Sequence, residues 1–408
     1  MSEPAGAARP RLGALAHRNF RFFFFGQGIS LIGTWMQSVA LGWLVLDLTN
    51  SAFAVGLNQA LRSFGVLAFT LYAGVVVDRV DKRRLIVLTQ LLQMVEALAL
   101  AALVWTKTIA TWQVMALAVG FGIVNAFDIP GRQAFLVELV GKQDLMNAIA
   151  LNSSMFNAAR IVGPAVGGLL IGAAGIGACF LINGLSYIAV IAGLLAIRLP
   201  PRAPHPARAS GWEGFQAGIR FIWQERRMRA LMILVAVMSV LGFPVLVLMP
   251  VIARDVLHTD ARGYGLLMAA VGVGAMLGAL ALALTGQRTR KGPALLIGGA
   301  AYAVLLMAFA ATRAFLPALF LLALAGWAMI VTTALANTLI QTIVPDEMRG
   351  RVMAFYAFVF VGMAPLGAFQ AGLLGEHLGA PTAIGLGGAG CLVTVLLAAW
   401  RGRELRES

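Results

Sequence analysis

Apolar runs long enough to cross a bilayer take up most of this 408-residue chain, and no other feature narrows its possible folds so far. A bilayer core about 30 Å thick needs ~20 apolar residues per helix. Twelve such runs can be read: 20–47, 53–77, 85–105, 112–128, 145–170, 177–197, 230–252, 263–285, 292–312, 316–339, 352–374 and 381–400. Hydrocarbon offers the backbone no hydrogen-bond partners, so runs of this kind must be helices or a closed barrel. With 60% hydrophobic and 12% charged residues, the chain carries more apolar surface than a soluble core can bury. An all-α membrane protein of twelve transmembrane helices is the expectation.

The net charge of +14 suggests nucleic acid until the basic residues are placed. Of 31 Lys and Arg, 25 fall in or beside segments on the side of the amino terminus, and four on the other side: Lys107, Arg254, Arg262 and Arg313. Such asymmetry puts both termini in the cytoplasm and explains the charge without a nucleic-acid partner. Arg62 and Arg160 fall inside spans. The first run is too long for a signal-peptide core and is read as a retained span.

The chain also repeats. Gly74-Val-Val-Val-Asp78-Arg79-Val-Asp81-Lys82-Arg83-Arg84 joins the second and third runs, and a basic turn from Gly286 to Lys291 joins the eighth and ninth. Asp47–Asn50 before Val55-Gly56-Leu57 has its counterpart in Asp255–Asp260 before Tyr264-Gly265-Leu266. Two copies of six spans in the same order give two bundles related by a pseudo-two-fold axis along the membrane normal, with a solute path between them. The expected division is a cytoplasmic tail 1–19, a six-helix bundle 20–197, a cytoplasmic linker 198–229, a second bundle 230–400 and a tail 401–408. The linker starts proline-rich, and its end reads as an amphipathic helix at the lipid interface.

Gly74, Asp78, Arg79, Lys82 and Arg83 resemble the loop motif of the major facilitator superfamily, with Asp81 standing where that family usually has Gly. Asn125–Ala134, Asn147–Ser153 and Pro345–Val352 are similar to the branch that holds enterobactin-exporter-like and lysophospholipid-transporter-like proteins. Gly163, Pro164, Gly167 and Gly168 resemble a Gly-Pro motif associated with exporters. The resemblance implies the major facilitator fold and alternating access in a bacterial inner membrane. It further implies export of a small amphipathic solute, siderophore-like or drug-like, by proton antiport, in a monomer with no cofactor. A lysophospholipid flippase and a non-transporting sensor stay open as alternatives. The fourth span, Met115–Gly122, lacks the Arg that many proton antiporters of the superfamily carry.

The loop motif implies a switch: Asp78 would accept backbone N–H bonds near Val352 at the start of the eleventh helix, while Lys82, Arg83 and Arg84 would pair with Glu138, Asp144, Asp346 or Glu347. Topology alone would also place these bases there. An arginine inside a span costs about 2.5–3.5 kcal/mol or more unless paired or hydrated. Arg160 therefore needs Asp128, Glu96 or Asp47, or an anionic substrate. Arg62 either reaches Asp47 or snorkels outward. Glu96 is a proton carrier or a structural partner. Trp35, Gln37, Asn125, Asn152, Asn157, Phe243, Trp327, Asn337, Gln341, Tyr356 and Gln370 are candidates for the cavity wall, each equally suited to gluing helices together.

Nothing in the chain reads as an enzyme. Gly385–Gly390 fits a dinucleotide pattern but lies inside an apolar run with no strand before it. There is no phosphate-binding loop, and His17, His205, His258 and His377 form no metal cluster.

Overall fold

The computed structural model describes residues 13–197, 212–285 and 290–401. The proline-rich start of the linker, most of the second basic turn and both tails lie outside the described residues.

Twelve helices long and apolar enough to cross a membrane follow one another. Those of the first bundle are Arg18–Thr49, Ala52–Arg79, Lys82–Trp105, Thr111–Val140, Leu145–Ala174 and Ile176–Ala196. The second bundle holds the interrupted spans Arg226–Val256 and Asp346–Leu378 with the helices Ala261–Thr285, Lys291–Ala311, Phe315–Ile343 and Ala380–Arg401. Their alternating directions put the start of the first and the end of the twelfth on one face, the terminal face; the opposite one is the distal face. Leu195, Leu284, Ile297, Leu316 and Phe320 point outward as a belt of exposed apolar side chains, as lipid contact requires. Trp105 and Trp112 at one rim, and Trp223 and Trp400 at the other, are exposed where amphipathic rings favour the headgroup level.

Two helices depart from regularity, and proline explains both. In the seventh span Pro244 and Pro250 lack an N–H, and the helix passes through a π turn at Met238–Gly242, a 3-10 turn at Phe243–Leu246 and a second π turn at Ile252–Val256. The released carbonyls find partners inside the bundle: Gln370 Nε2 donates to Val240 O at 2.9 Å and the Tyr302 hydroxyl to Gly242 O at 3.0 Å. The eleventh span breaks at Met363, just before Pro365.

A helix over Trp212–Gln224 follows the undescribed part of the linker. It packs against the first half of the eleventh span, where the Gly218 backbone approaches that of Arg351.

The bundles meet along two seams, the fifth span against the eighth and the second against the far half of the eleventh. Both seams use glycine. A Cβ on Gly168 would lie 2.6 Å from Ala261 O and 3.0 Å from the Gly265 Cα; one on Gly56 would lie 2.6 Å from Ala368 O and 2.5 Å from the Gly372 Cα. Only hydrogen fits at these sites, the close backbone approach through which helices associate in lipid. All of these contacts belong to the distal half.

Among the described residues every inter-bundle hydrogen bond is distal too. Glu376 accepts from the Ser51 hydroxyl and the Phe53 N–H, both at 3.0 Å, at the start of the second helix. Arg254 donates to Asn50 Oδ1 at 2.9 Å and to Leu46 O at 3.3 Å, and Arg262 to Gly172 O at 3.4 Å. Trp43 stacks on Tyr264, and Phe53 meets Phe369 edge-on. At the terminal face the first half of the eleventh span barely touches the second. The molecule is closed distally and parted terminally.

Gly168→Val should wedge the distal seam. With a thiol placed behind it by Leu41→Cys, which is 5% exposed in the native chain, distal labelling by an impermeant maleimide should rise about tenfold, the effect of ~1.4 kcal/mol. Labelling equal to that of the Gly168 parent would contradict the assignment of this seam.

Candidate functional site

Between the bundles, under the distal closure, lies a pocket of about 50 Å³ lined by side chains of both halves, among them Ser38, Asn58, Gln59 and Arg62 from one and Leu246 and Tyr264 from the other. Toward the terminal face the first and fifth helices contribute Trp35 and Phe156, packed edge to face with centroids 5.6 Å apart. On the facing bundle Tyr356 stacks on Phe360 at 5.8 Å, and Phe360 meets Phe243 edge-on. One turn beyond Phe156 is Arg160, and Pro164, lacking an N–H, leaves the Arg160 carbonyl unbonded within the helix.

Arg160 has no acidic partner among the described residues. Asp128, Glu96 and Asp47, the partners weighed from sequence, are all placed elsewhere. Among the described residues, the ionisable group within electrostatic reach of it is the Tyr302 phenol of the ninth span. A guanidinium in this position fits an anionic group brought by a ligand.

Asp128 is fully buried inside the first bundle. Thr89 Oγ1 and Gln90 Nε2 donate to its Oδ1 at 2.8 and 2.9 Å, and Arg132, one turn along the same helix, lies 2.7 Å from its Oδ2 as an ion pair with poor hydrogen-bond alignment. Hydropathy ends the fourth run at Asp128, but that internal pair lets the helix continue to Val140. Asp47 is exposed at the distal end of the first helix and pairs with neither arginine.

Arg62 does not snorkel. Its guanidinium sits 4.0 Å above the Phe121 ring, within electrostatic reach of Glu96. Glu96 is 8% exposed, and its Oε2 accepts from Gln37 Nε2 at 2.8 Å; Gln37 Oε1 in turn accepts from Asn183 Nδ2 at 2.6 Å. Gln37 thus faces the core of its own bundle rather than the cavity.

The other cavity candidates divide. Asn125 and Asn157 donate to carbonyls one turn back on their own helices, at 3.1 and 2.9 Å. Gln341 donates to Asn337 at 3.0 Å near the terminal end of the tenth span. Gln370 serves the seventh span as described. Asn152 is half-buried, and Trp327 is exposed on the helix whose backbone meets Gly278. In the exporter-type motif, Gly163 and Gly167 pack on the first helix at Trp35 and Met36, whereas Pro164 and Gly168 face the eighth. Phe156, Phe360, Tyr302 and Glu376 carry no sequence signal, because apolar runs hide aromatic side chains and a lone acid at the end of a span forms no pattern.

In the loop motif Asp81 Oδ1 accepts the Arg84 N–H at 2.7 Å, capping the third helix. Its φ of −63° makes no demand for glycine, which accounts for an Asp at that position. Lys82 pairs with Glu138 at 3.0 Å, and Arg83 donates to the Leu194 and Leu195 carbonyls at the end of the sixth helix. Asp144 pairs with His17, and Asp346 with Arg349. Gly74 has open space around it, and the exposed Asp78 and Arg79 make no side-chain hydrogen bond or ion pair among the described residues. The expected bond from Asp78 to the eleventh helix is absent because the terminal halves stand apart.

This arrangement can be set beside known proteins. The transmembrane secretion effector family of major facilitator transporters matches residues 10–406. The chain belongs to that family. Similar relatives include the enterobactin exporter EntS of Citrobacter koseri, 24% identical over 391 residues covering 96% of this chain and 93% of that one. The multidrug efflux pump Tap of Mycolicibacterium fortuitum is 29% identical over 362 residues, covering 85% and 87%. Among solved structures, a bacterial homologue of the human lysosomal transporter Spinster, inward-facing and unoccupied, superposes with a TM-score of 0.70 at 15% identity over 94% of both chains. The nucleoside transporter NupG does so with 0.72 at 11%, over 94% of this chain and 98% of its own. The twelve-helix major facilitator fold is thereby established, and this chain is a multi-pass membrane transporter of small molecules, not an enzyme.

Removing a buried charge partner costs about 3–5 kcal/mol. Asp128→Ala should therefore lower the melting temperature of the purified protein by several degrees, while Asp47→Ala leaves it in place. Equal melting of the two variants would show that the Asp128 cluster does not brace the bundle.

Proposed function

We propose that this chain is a secondary transporter that exports an amphipathic organic solute carrying an anionic group, by alternating access coupled to inward proton movement. The terminal face is cytoplasmic in this reading, as the distribution of Lys and Arg favours, and the membrane is a bacterial inner membrane. The observation that carries the reading is Arg160, without an acidic partner among the described residues and one turn along the fifth helix from Phe156, which packs on Trp35. Aromatic rings take the apolar body of a solute, and the arginine takes its charge.

The parted terminal halves make this the loading state. Return requires the Gly56–Gly372 and Gly168–Gly265 seams to separate and the terminal halves to close, and there Asp78 would meet the start of the eleventh helix, whose dipole attracts a carboxylate. The named activities of EntS and Tap support export, of a siderophore in one case and of drugs in the other.

The test uses purified protein in liposomes with labelled enterobactin as an anionic probe and ethidium as a cationic one. Arg160→Ala should weaken enterobactin binding by about 10- to 100-fold, the worth of a charge-assisted contact. Arg160→Lys should keep most of it, and ethidium binding should not fall. Transport of lysophospholipid alone, or equal loss of both probes, would overturn the reading.

A further inference from the structure

The first bundle contains a polar core that no solute could enter. The first helix turns Gln27, Ser30, Thr34 and Gln37 toward one another's side at spacings of three and four, and the third places Gln90, Gln93 and Glu96 three apart with Thr89 beside Gln90. All but Thr34 are buried, as are Asp128, Asn183 and Ser186 beside them. Hydrogen bonds thread much of the set: Asp128 to Gln90 at 2.9 Å, Gln90 to Gln93 at 3.3 Å, Glu96 to Gln37 at 2.8 Å, Gln37 to Asn183 at 2.6 Å. The Tyr187 phenol sits in electrostatic reach of both acids and 3.4 Å from Thr34 Oγ1. Glu96 lies fourteen residues into its helix, which is about 21 Å of depth at 1.5 Å per residue.

Packing alone does not account for this set, because apolar residues would fill the space at lower cost. Four buried side-chain oxygens among the described residues lack a hydrogen-bond partner: Gln27 Oε1, Gln90 Oε1, Asp128 Oδ2 and Asn58 Oδ1. Three belong to this core, and Asp128 Oδ2 keeps only its ion pair with Arg132. The fourth lies in the pocket beneath the distal closure beside Arg62. Unpartnered buried acceptors suit bridging waters, and hydrogen-bonded chains of such groups move protons.

We infer that this core is a proton path separate from the solute route, in which Glu96 is the group that binds the transported proton and Arg62 joins it to the pocket beneath the distal closure. It rests on the antiport reading above and assigns that reading its residues. The Glu96 carboxylate takes a proton from the distal solution through the pocket at Arg62 and Asn58 when the distal seams are open. In the state seen here it releases that proton by way of Gln93, Gln90 and Asp128 to the terminal face. Among the described residues, the titratable and charged groups facing Glu96 are Arg62 from the second helix and Tyr187 from the sixth; Gln37 on the first is neutral. Arg62 is shared between the two routes, since it lines the pocket and faces Glu96.

The experiment needs no substrate. Infrared pH-difference spectra of the full-length protein in lipid nanodiscs should contain a carboxylic acid C=O band that Glu96→Gln removes, Glu96→Asp moves and Glu138→Gln leaves alone. A pulse of D2O shifts that band. Gln90→Leu combined with Gln93→Leu should slow the shift about tenfold, as loss of a bridging relay costs, whereas Trp35→Ala should not. A titrating band that survives Glu96→Gln, the absence of any such band, or exchange indifferent to the Gln90 and Gln93 pair would overturn the inference. Flux of labelled enterobactin in pyranine-loaded liposomes separates the two proposals. If the band behaves as stated but a pH gradient drives no flux, antiport falls and Glu96 stands as the protonation site; if Glu96→Gln retains gradient-driven flux, the inference falls and antiport stands.

Discussion

Two bundles of helices are held together here by contacts that only glycine permits. Gly56 against Gly372 and Gly168 against Gly265 bring backbones so near that a single methyl group would intrude. In lipid there is little hydrophobic reward for joining helices, so close packing and a few polar bonds must do it. Such a seam is firm but local, and it leaves the terminal halves free to part. The idle Asp78 follows from the way the bundles meet mainly at the distal face.

Much of the fold was legible in the sequence. The twelve apolar runs, the repeat of the basic turn and the asymmetric arginines lead to the two-bundle architecture without any contact being known. What hydropathy could not show was a charge neutralised within its own helix. Asp128 and Arg132 pair across one turn, so the fourth helix carries both into the bundle, and the acid that looked like a span's end is one of its most buried residues.

The candidate site was less legible, and the reason is geometric. A polar residue on a membrane helix avoids lipid, but two kinds of surface satisfy it: the cavity and the bundle core. Gln37 and Gln370 were both read as cavity candidates, yet one serves Glu96 and the other a freed carbonyl of the seventh span. Trp35 met Phe156, whose role no polar pattern marks. Asp81, at odds with the family's usual glycine, needed only the cap geometry to be understood.

Under the alternating access proposed above, the bundles exchange closure at one face for closure at the other. Spin-label distances in nanodiscs test it most directly, with one pair at Arg84 and Glu347 on the terminal face and another at Thr108 and Arg313 on the distal face. The account predicts two populations, the terminal distance long where the distal one is short and the reverse, shifting together when enterobactin or the pH changes. Single, independent distances at both faces under every condition would contradict it.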